Sequence, residues 1–193
     1  MRRLLIATNN AGKVREIKAI LGEFYDELVS LKDIGLELNV VEDGDTFEEN
    51  AVKKAREAAR AAGCDALADD SGLCVAALDG APGVYSARYA GEHATDEENN
   101  AKLLAALKGV ENRHAKFVSV VALASGDTVT TVRGEVEGVI AHAPSGSGGF
   151  GYDPLFFVPE LGQTFAEIPA DLKNTLSHRA RALTALRDKL CAR

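Results

Sequence analysis

The chain has 193 residues, 46% apolar and 26% charged, which is the make-up of an ordinary globular domain rather than a disordered or fibrous chain. Its net charge of −7 argues against a DNA or RNA strand as partner, because binding a polyanion needs a basic surface. No apolar run approaches the ~20 residues that cross a bilayer, and the run after Met1-Arg2-Arg3 is too short for a signal peptide. We therefore expect a cytoplasmic protein with no membrane partner.

Cys64, Cys74 and Cys191 are odd in number and lack zinc or redox spacing, so they read as free thiols in a reducing compartment. His93, His114, His142 and His178 are scattered and suggest no metal cluster.

The first predicted element is a strand over residues 3–7. The polar loop Thr8-Asn9-Asn10-Ala11-Gly12-Lys13 follows, then a helix in which Val14, Ile17 and Leu21 recur at helical spacing. Free N–H groups at such a helix start suit an anion, and Lys13 adds charge; a plain cap with a solvated lysine is the competing reading. The Walker A pattern is absent, since Ala7 stands where it needs Gly and Val14 follows the lysine.

Residues 25–31 and 36–41 read as further strands. Glu42-Asp43-Gly44-Asp45 then leads into a helix over residues 47–62, opened by a Thr46/Glu49 capping box and stopped by Gly63. Phe47, Ala51, Lys54 or Ala55, and Ala58 share one face of it. Glu42 on the loop and Lys53 on the helix are solvated by default.

Ala66-Leu67-Ala68 runs into Asp69-Asp70-Ser71-Gly72, which reads as a buried strand ending in a turn. Two acids there either face water as turn residues or meet cations, because an unpaired buried carboxylate is costly. Successive strand residues point to opposite faces, so only one of the pair should enter a cleft.

A short segment with two tyrosines spans residues 84–89. Thr95 and Glu98 form a second capping box opening a helix to Leu107, and residues 115–124 and 127–139 read as a hairpin about Ser125-Gly126-Asp127. Gly146, Gly148 and Gly151 match Gly-x-Gly-x-x-Gly literally, but the β-type run Pro154-Leu155-Phe156-Phe157-Val158-Pro159 follows where a dinucleotide fold needs a helix. What remains is a flexible loop presenting Phe150, with Tyr152 and Asp153 behind it; so many glycines around one ring suit a flat ligand. Ser177-His178-Arg179 opens an amphipathic helix over residues 180–190, and basic residues there oppose the helix dipole, which favours an anionic or polar ligand.

Taken in order, these segments resemble the inosine triphosphate pyrophosphatase family, which hydrolyses non-standard purine nucleoside triphosphates. The motifs are Thr8 to Lys13 with Glu16; Glu42 followed by Thr46-Phe47-Glu48-Glu49-Asn50-Ala51 and Lys53; Ala68-Asp69-Asp70-Ser71-Gly72-Leu73; Gly80-Ala81-Pro82-Gly83-Val84-Tyr85-Ser86-Ala87-Arg88; Gly148-Gly149-Phe150-Gly151-Tyr152-Asp153-Pro154; and Ser177-His178-Arg179.

The resemblance implies an α/β fold with a long mixed sheet flanked by helices, in which residues 1–193 form one two-lobed domain with the substrate cleft between the lobes. It implies cleavage between the α- and β-phosphates, giving a monophosphate and pyrophosphate. In that family pattern Asp70 activates water or, with Glu42, holds Mg²⁺. Thr8, Asn9, Asn10, Ala11, Gly12 and Lys13 cradle the phosphates, Lys53 adds positive charge and Ser71 bonds the substrate. Phe150 stacks on the base, with Gly151, Tyr152 and Asp153 beside it, and Lys173, His178 and Arg179 read its edge. The family pattern is a homodimer, with residues 80–89 as an interface candidate or as core. A pyrophosphatase for modified pyrimidine nucleotides and a non-catalytic nucleotide sensor stand as the rival readings.

Overall fold

The computed structural model describes residues 2–192. Its seven-stranded mixed sheet has the order β2-β1-β3-β4-β5-β6-β7. The strands are β1 (Arg3–Ile6), β2 (Glu27–Ser30), β3 (Asp65–Val75), β4 (His114–Ser125), β5 (Thr128–Ile140), β6 (Phe156–Val158) and β7 (Gln163–Thr164). β1 runs parallel to both β2 and β3, whereas β6 is antiparallel to β5 and β7. The helices are α1 (Ala11–Leu21), α2 (Phe47–Ala62), α3 (Asp96–Ala106), α4 (Ala170–Leu176) and α5 (His178–Cys191), with 3-10 turns at Ala76–Leu78 and Gly83–Arg88.

Two compact units can be described. The first comprises the described residues of Met1–Asp70, Ser119–Gly134 and His178–Arg193; the second comprises Ser71–Val118 and Glu135–Ser177. In the first, α1 and α5 pack together over the sheet through Ile17, Leu21, Leu183 and Leu186, with Leu4 and Leu67 beneath. α5 approaches β5 closely. A Cβ on Gly134 would stand 2.1 Å from the carbonyl oxygen of His178, so only glycine fits there. The core of the second unit is aromatic: Phe117 and Phe156 have ring centroids 4.4 Å apart, and Phe165 lies 5.0 Å from Phe156. Rings at such separations contribute beyond their buried area.

Both capping boxes form. Thr46 Oγ1 accepts from Glu49 N–H while the Glu49 carboxylate accepts from Thr46 N–H, and Thr95 and Glu98 do the same for α3. Gly63 ends α2 in the left-handed conformation at φ 64°.

Three expectations need correction. β3 does not end at the acid pair; it runs straight through Asp69-Asp70-Ser71-Gly72 to Val75. Local turn propensity yields there because both carboxylates find partners, as described below, so the strand can stay buried. Residues 36–41 form no strand: Leu36, Leu38 and Val40 are only half-buried between exposed Glu37, Asn39 and Val41, and the segment pairs with no strand of the sheet. The last segment holds two helices rather than one: α4 precedes α5, which begins at His178 itself.

Candidate active site

The first unit concentrates charge around the middle of β3. Asp69 and Asp70, adjacent on the strand, are both buried but have different partners, as alternation requires. Asp69 Oδ2 accepts from Arg179 Nε at 3.1 Å and lies 3.1 Å from Lys13 Nζ. Arg179 also bonds the carboxylate of Glu16 through Nη1, so one guanidinium, 1% exposed, ties β3 to α1 from the first turn of α5. Burial works against its charge, but Asp69 and Glu16 outweigh that and hold its pKa above the ordinary value.

Asp70 faces α2. Its Oδ2 accepts from Asn50 Nδ2 at 3.0 Å, and its Oδ1 lies 3.7 Å from Lys54 Nζ. Lys54 Nζ is also 2.7 Å from Glu42 Oε1. Burial pushes the Asp70 carboxyl up, with Lys54 and Asn50 pulling it down and Glu42 adding to the rise; the balance lies above the ordinary value. On Lys54, burial works to lower the pKa, but Asp70, Asp69 and Glu42 prevail and raise it. Lys13 goes the other way: burial, aided by Arg179 and Lys54, lowers its pKa despite Asp69.

The lysine of α2 that reaches the acids is therefore Lys54. Lys53, on the neighbouring face, pairs with Asp43 at 2.7 Å near the surface. Asn50 and Lys54 were not singled out from sequence as site residues. Both lie on the face marked by Phe47, Ala51 and Ala58, where a lysine or asparagine must find a polar partner, and that position was the available signal.

The phosphate-loop candidates lie between β1 and α1. Asn10 is the N-cap of α1; its Oδ1 accepts from the N–H groups of Gly12 at 2.9 Å and Lys13 at 3.1 Å. Thr8 Oγ1 accepts from Asn10 N–H at 3.2 Å. These helix-start N–H groups have an acceptor oxygen in front of them, the arrangement an anion would also satisfy. Thr8, Asn9 and Ala11 line a cavity of about 530 Å³ with Arg15 and Lys32 on its wall.

Among the described residues no group of three or more His, Cys, Asp and Glu side chains could hold a metal. Magnesium does not need one, since it takes one or two carboxylates and completes its shell with waters and phosphate oxygens. Glu42 and Asp70 converge on a single cation, the Lys54 ammonium, and both are hard oxygen donors, so this pair fits a magnesium ion.

The second unit holds the Phe150 ring. Lys173, buried, bonds Asp153 Oδ2 at 2.6 Å and stands 4.7 Å from the centroid of Phe150. Asp153 Oδ2 also accepts from Phe150 N–H at 3.0 Å, so Asp153 braces the loop and orients Lys173 at once. Tyr152 turns inward instead, its hydroxyl donating to Ser86 O at 2.7 Å, and burial pushes its pKa up. Phe150, Asp153 and Lys173 thus come together in one cluster. His178 and Arg179 belong to the first unit, where His178 is buried at the start of α5 and Arg179 serves Asp69 and Glu16. Ser71, next to Asp70 on β3, is half-buried.

A mixed seven-stranded sheet flanked by helices, with a lysine between two carboxylates at β3, makes this an α/β protein. The model of the Ham1 family matches residues 4–189, and the chain belongs to that family. A relative from Geobacter sulfurreducens named dITP/XTP pyrophosphatase is 58% identical, covering 98% of this chain and 97% of its own. One of the same name from Clostridium perfringens is 50% identical over 98% of both. The solved structure of a HAM1 protein from Coxiella burnetii superposes with a TM-score of 0.89 at 41% identity, over 100% of each chain.

Proposed function

We propose that this protein hydrolyses non-standard purine nucleoside triphosphates (ITP, dITP and XTP) to the monophosphate and pyrophosphate, keeping deaminated purines out of DNA and RNA. Its relatives over nearly full length carry the name dITP/XTP pyrophosphatase, and the buried Asp70, set between Asn50 and Lys54, is the observation that carries the chemistry.

Asp70 takes the proton of a water attacking the α-phosphorus, and the bond to the α–β bridging oxygen breaks with pyrophosphate leaving. A carboxyl raised above its ordinary value is a better base near neutral pH than a solvated aspartate. Lys13 and Lys54 offset the charge that builds on the phosphate oxygens, and the loop Thr8 to Lys13 receives the phosphate chain. Glu42 and Asp70 would hold Mg²⁺, which would neutralise phosphate oxygens and orient the polyphosphate.

Phe150 stacks on the base, and the Lys173 ammonium donates to the oxo group at purine position 6, where adenine offers only an amino donor. His178 is a second candidate for that edge. Arg179 acts through the acids it binds. We read residues 1–193 as one catalytic domain that works as a homodimer in the cytoplasm. The near-full-length match to single relatives supports one domain, and exposed Tyr85 in the 80–89 segment supports a partner surface. No helix of the described residues is long and apolar enough to cross a membrane.

The test is pyrophosphate release with Mg²⁺ across ITP, dITP, XTP, ATP, GTP and dUTP, for the wild type and Asp70→Asn. We expect turnover of the first three and a loss of about 10²–10⁴-fold in the variant. No turnover on any nucleotide would refute the enzyme reading, preference for dUTP would refute the purine assignment, and a fully active Asp70→Asn would refute the role of that carboxylate.

A further inference from the structure

The Gly-rich loop before Tyr152 lies against the Ala166 backbone on one side, where a Cβ on Gly146 would stand 2.5 Å from the Ala166 carbonyl carbon, and faces a cavity on the other. Gly146 to Gly151 border a cavity of about 470 Å³ whose opposite wall is α3, with Asp96, Asn100 and Leu104. Glycines cannot fill such a space, so on the cavity side the loop that carries Phe150 is held by hydrogen bonds to its backbone.

Gly151, the residue after Phe150, is gripped at both its polar atoms by α3. Its N–H donates to Asp96 Oδ2 at 2.8 Å, and its carbonyl accepts from Asn100 Nδ2 at 3.1 Å. Asp96 and Asn100 are one helical turn apart and share a face, the spacing needed to meet the N–H and C=O of a single residue. Gly151 itself sits in the left-handed region at φ 63°, which a side-chain-bearing residue resists.

The Asn100 amide also shows the cost of the arrangement. It is 8% exposed, and its Oδ1 is buried with no hydrogen-bond partner among the described residues. A buried unmet acceptor is unfavourable by about 1–3 kcal/mol, so an apolar residue would be the more stable choice unless the bond to Gly151 matters. The orientation of the amide is fixed by its partner, since the Gly151 carbonyl can only accept. Phe150 N–H, one residue earlier, is held by Asp153. The backbone of Phe150 and Gly151 is therefore anchored twice, once from its own loop and once from α3.

We propose that Asp96 and Asn100 are positioning residues for base recognition: by clamping Gly151 they fix the Phe150 ring in the orientation that stacks on the purine. This rests on the reading of Phe150 as the base platform. Neither residue needs to touch the nucleotide, and neither takes part in the chemistry at Asp70.

The test is a double-mutant cycle on ITP hydrolysis with KM and kcat measured separately. Asp96→Ala should raise KM about ten-fold and leave kcat within about two-fold, the pattern of lost binding rather than lost chemistry. Asp96→Asn keeps an oxygen acceptor for Gly151 N–H while removing the charge at the start of α3, and should return KM to within about three-fold of wild type. Asn100→Leu supplies a second break in the clamp, with the same rise in KM, should Asp96→Ala fail to fold. In a Phe150→Ala background the clamp substitution should add less than about two-fold, because its target ring is gone.

An unchanged KM in both Asp96→Ala and Asn100→Leu, or a rise of equal size with and without Phe150, overturns the inference. A fall in kcat matching the rise in KM does so too. If Phe150→Ala leaves KM unchanged, it is the platform reading that fails, which separates the two results.

Discussion

The buried guanidinium of Arg179 offers the sharpest test of how the acid cluster is held. It is 1% exposed and meets Asp69 and Glu16, both buried, at two separate nitrogens. Arg179→Met keeps a comparable volume and removes only the charge and its donors. Two carboxylates then face a low-dielectric interior without their guanidinium, Lys13 staying 3.1 Å from Asp69. Breaking a buried ion pair by deleting one partner costs about 3–5 kcal/mol. For a chain of this size about 1 kcal/mol corresponds to roughly 2–4 °C in Tm, so the variant should melt about 6–20 °C below wild type. Far-UV circular dichroism on heating at neutral pH measures it. Replacing all three members together (Glu16→Leu, Asp69→Leu, Arg179→Met) should recover most of the loss, since apolar substitutes for a buried ion network are often neutral or stabilising. A Tm for Arg179→Met within about 2 °C of wild type would refute the argument that this cation offsets two buried acids.

Other outcomes follow from neighbouring geometry. Lys54→Met should lower kcat on ITP by about 10²-fold or more, whereas Lys53→Ala should leave it within about two-fold, because only the former lies against Asp70 and Glu42. In urea denaturation Gly149→Ala should cost more than Gly162→Ala. Both have positive φ, but a Cβ at Gly149 would stand 2.1 Å from Asp153 Oδ2 while nothing lies within 4 Å at Gly162. The Tyr152 hydroxyl is raised above its ordinary value by burial, so the folded state keeps a proton that the unfolded chain releases. Its contribution to stability is full below about pH 10 and is lost as pH rises beyond that. Ultraviolet titration of the wild type and Tyr152→Phe should count the same number of ionising tyrosines until alkaline unfolding, then differ by one.

What could be read from sequence was mostly local. The capping boxes at Thr46 and Thr95 name both partners within four residues, and each helix begins where they say. The hairpin of β4 and β5 and the strand after the glycines are equally local, and they form. The acid pair misled about the strand because its turn-like residues are kept in β3 by Arg179, Lys13, Lys54 and Asn50, partners that lie far along the chain. Alternation did separate Asp69 from Asp70, a rule of strand geometry that needs no partner. Choosing between Lys53 and Lys54 required only the helical face, and the apolar neighbours of Lys54 marked it. The role of Arg179 was beyond such reasoning, since its position in the first turn of a helix suggests a ligand and only the fold supplies Glu16 and Asp69.

The sequence separations in that cluster bear on how the molecule comes to exist. Arg179 meets Asp69 across 110 positions and Glu16 across 163. Closing loops of that length is entropically expensive and is rewarded only once much of the chain is compact, so the docking of α5 on α1 belongs late in folding. Until then Asp69 and Glu16 lack their guanidinium, and an acid without its cation is costly to bury. A newly made chain therefore cannot complete its charged centre until α5 has docked, because the guanidinium shared by Asp69 and Glu16 is carried on that helix.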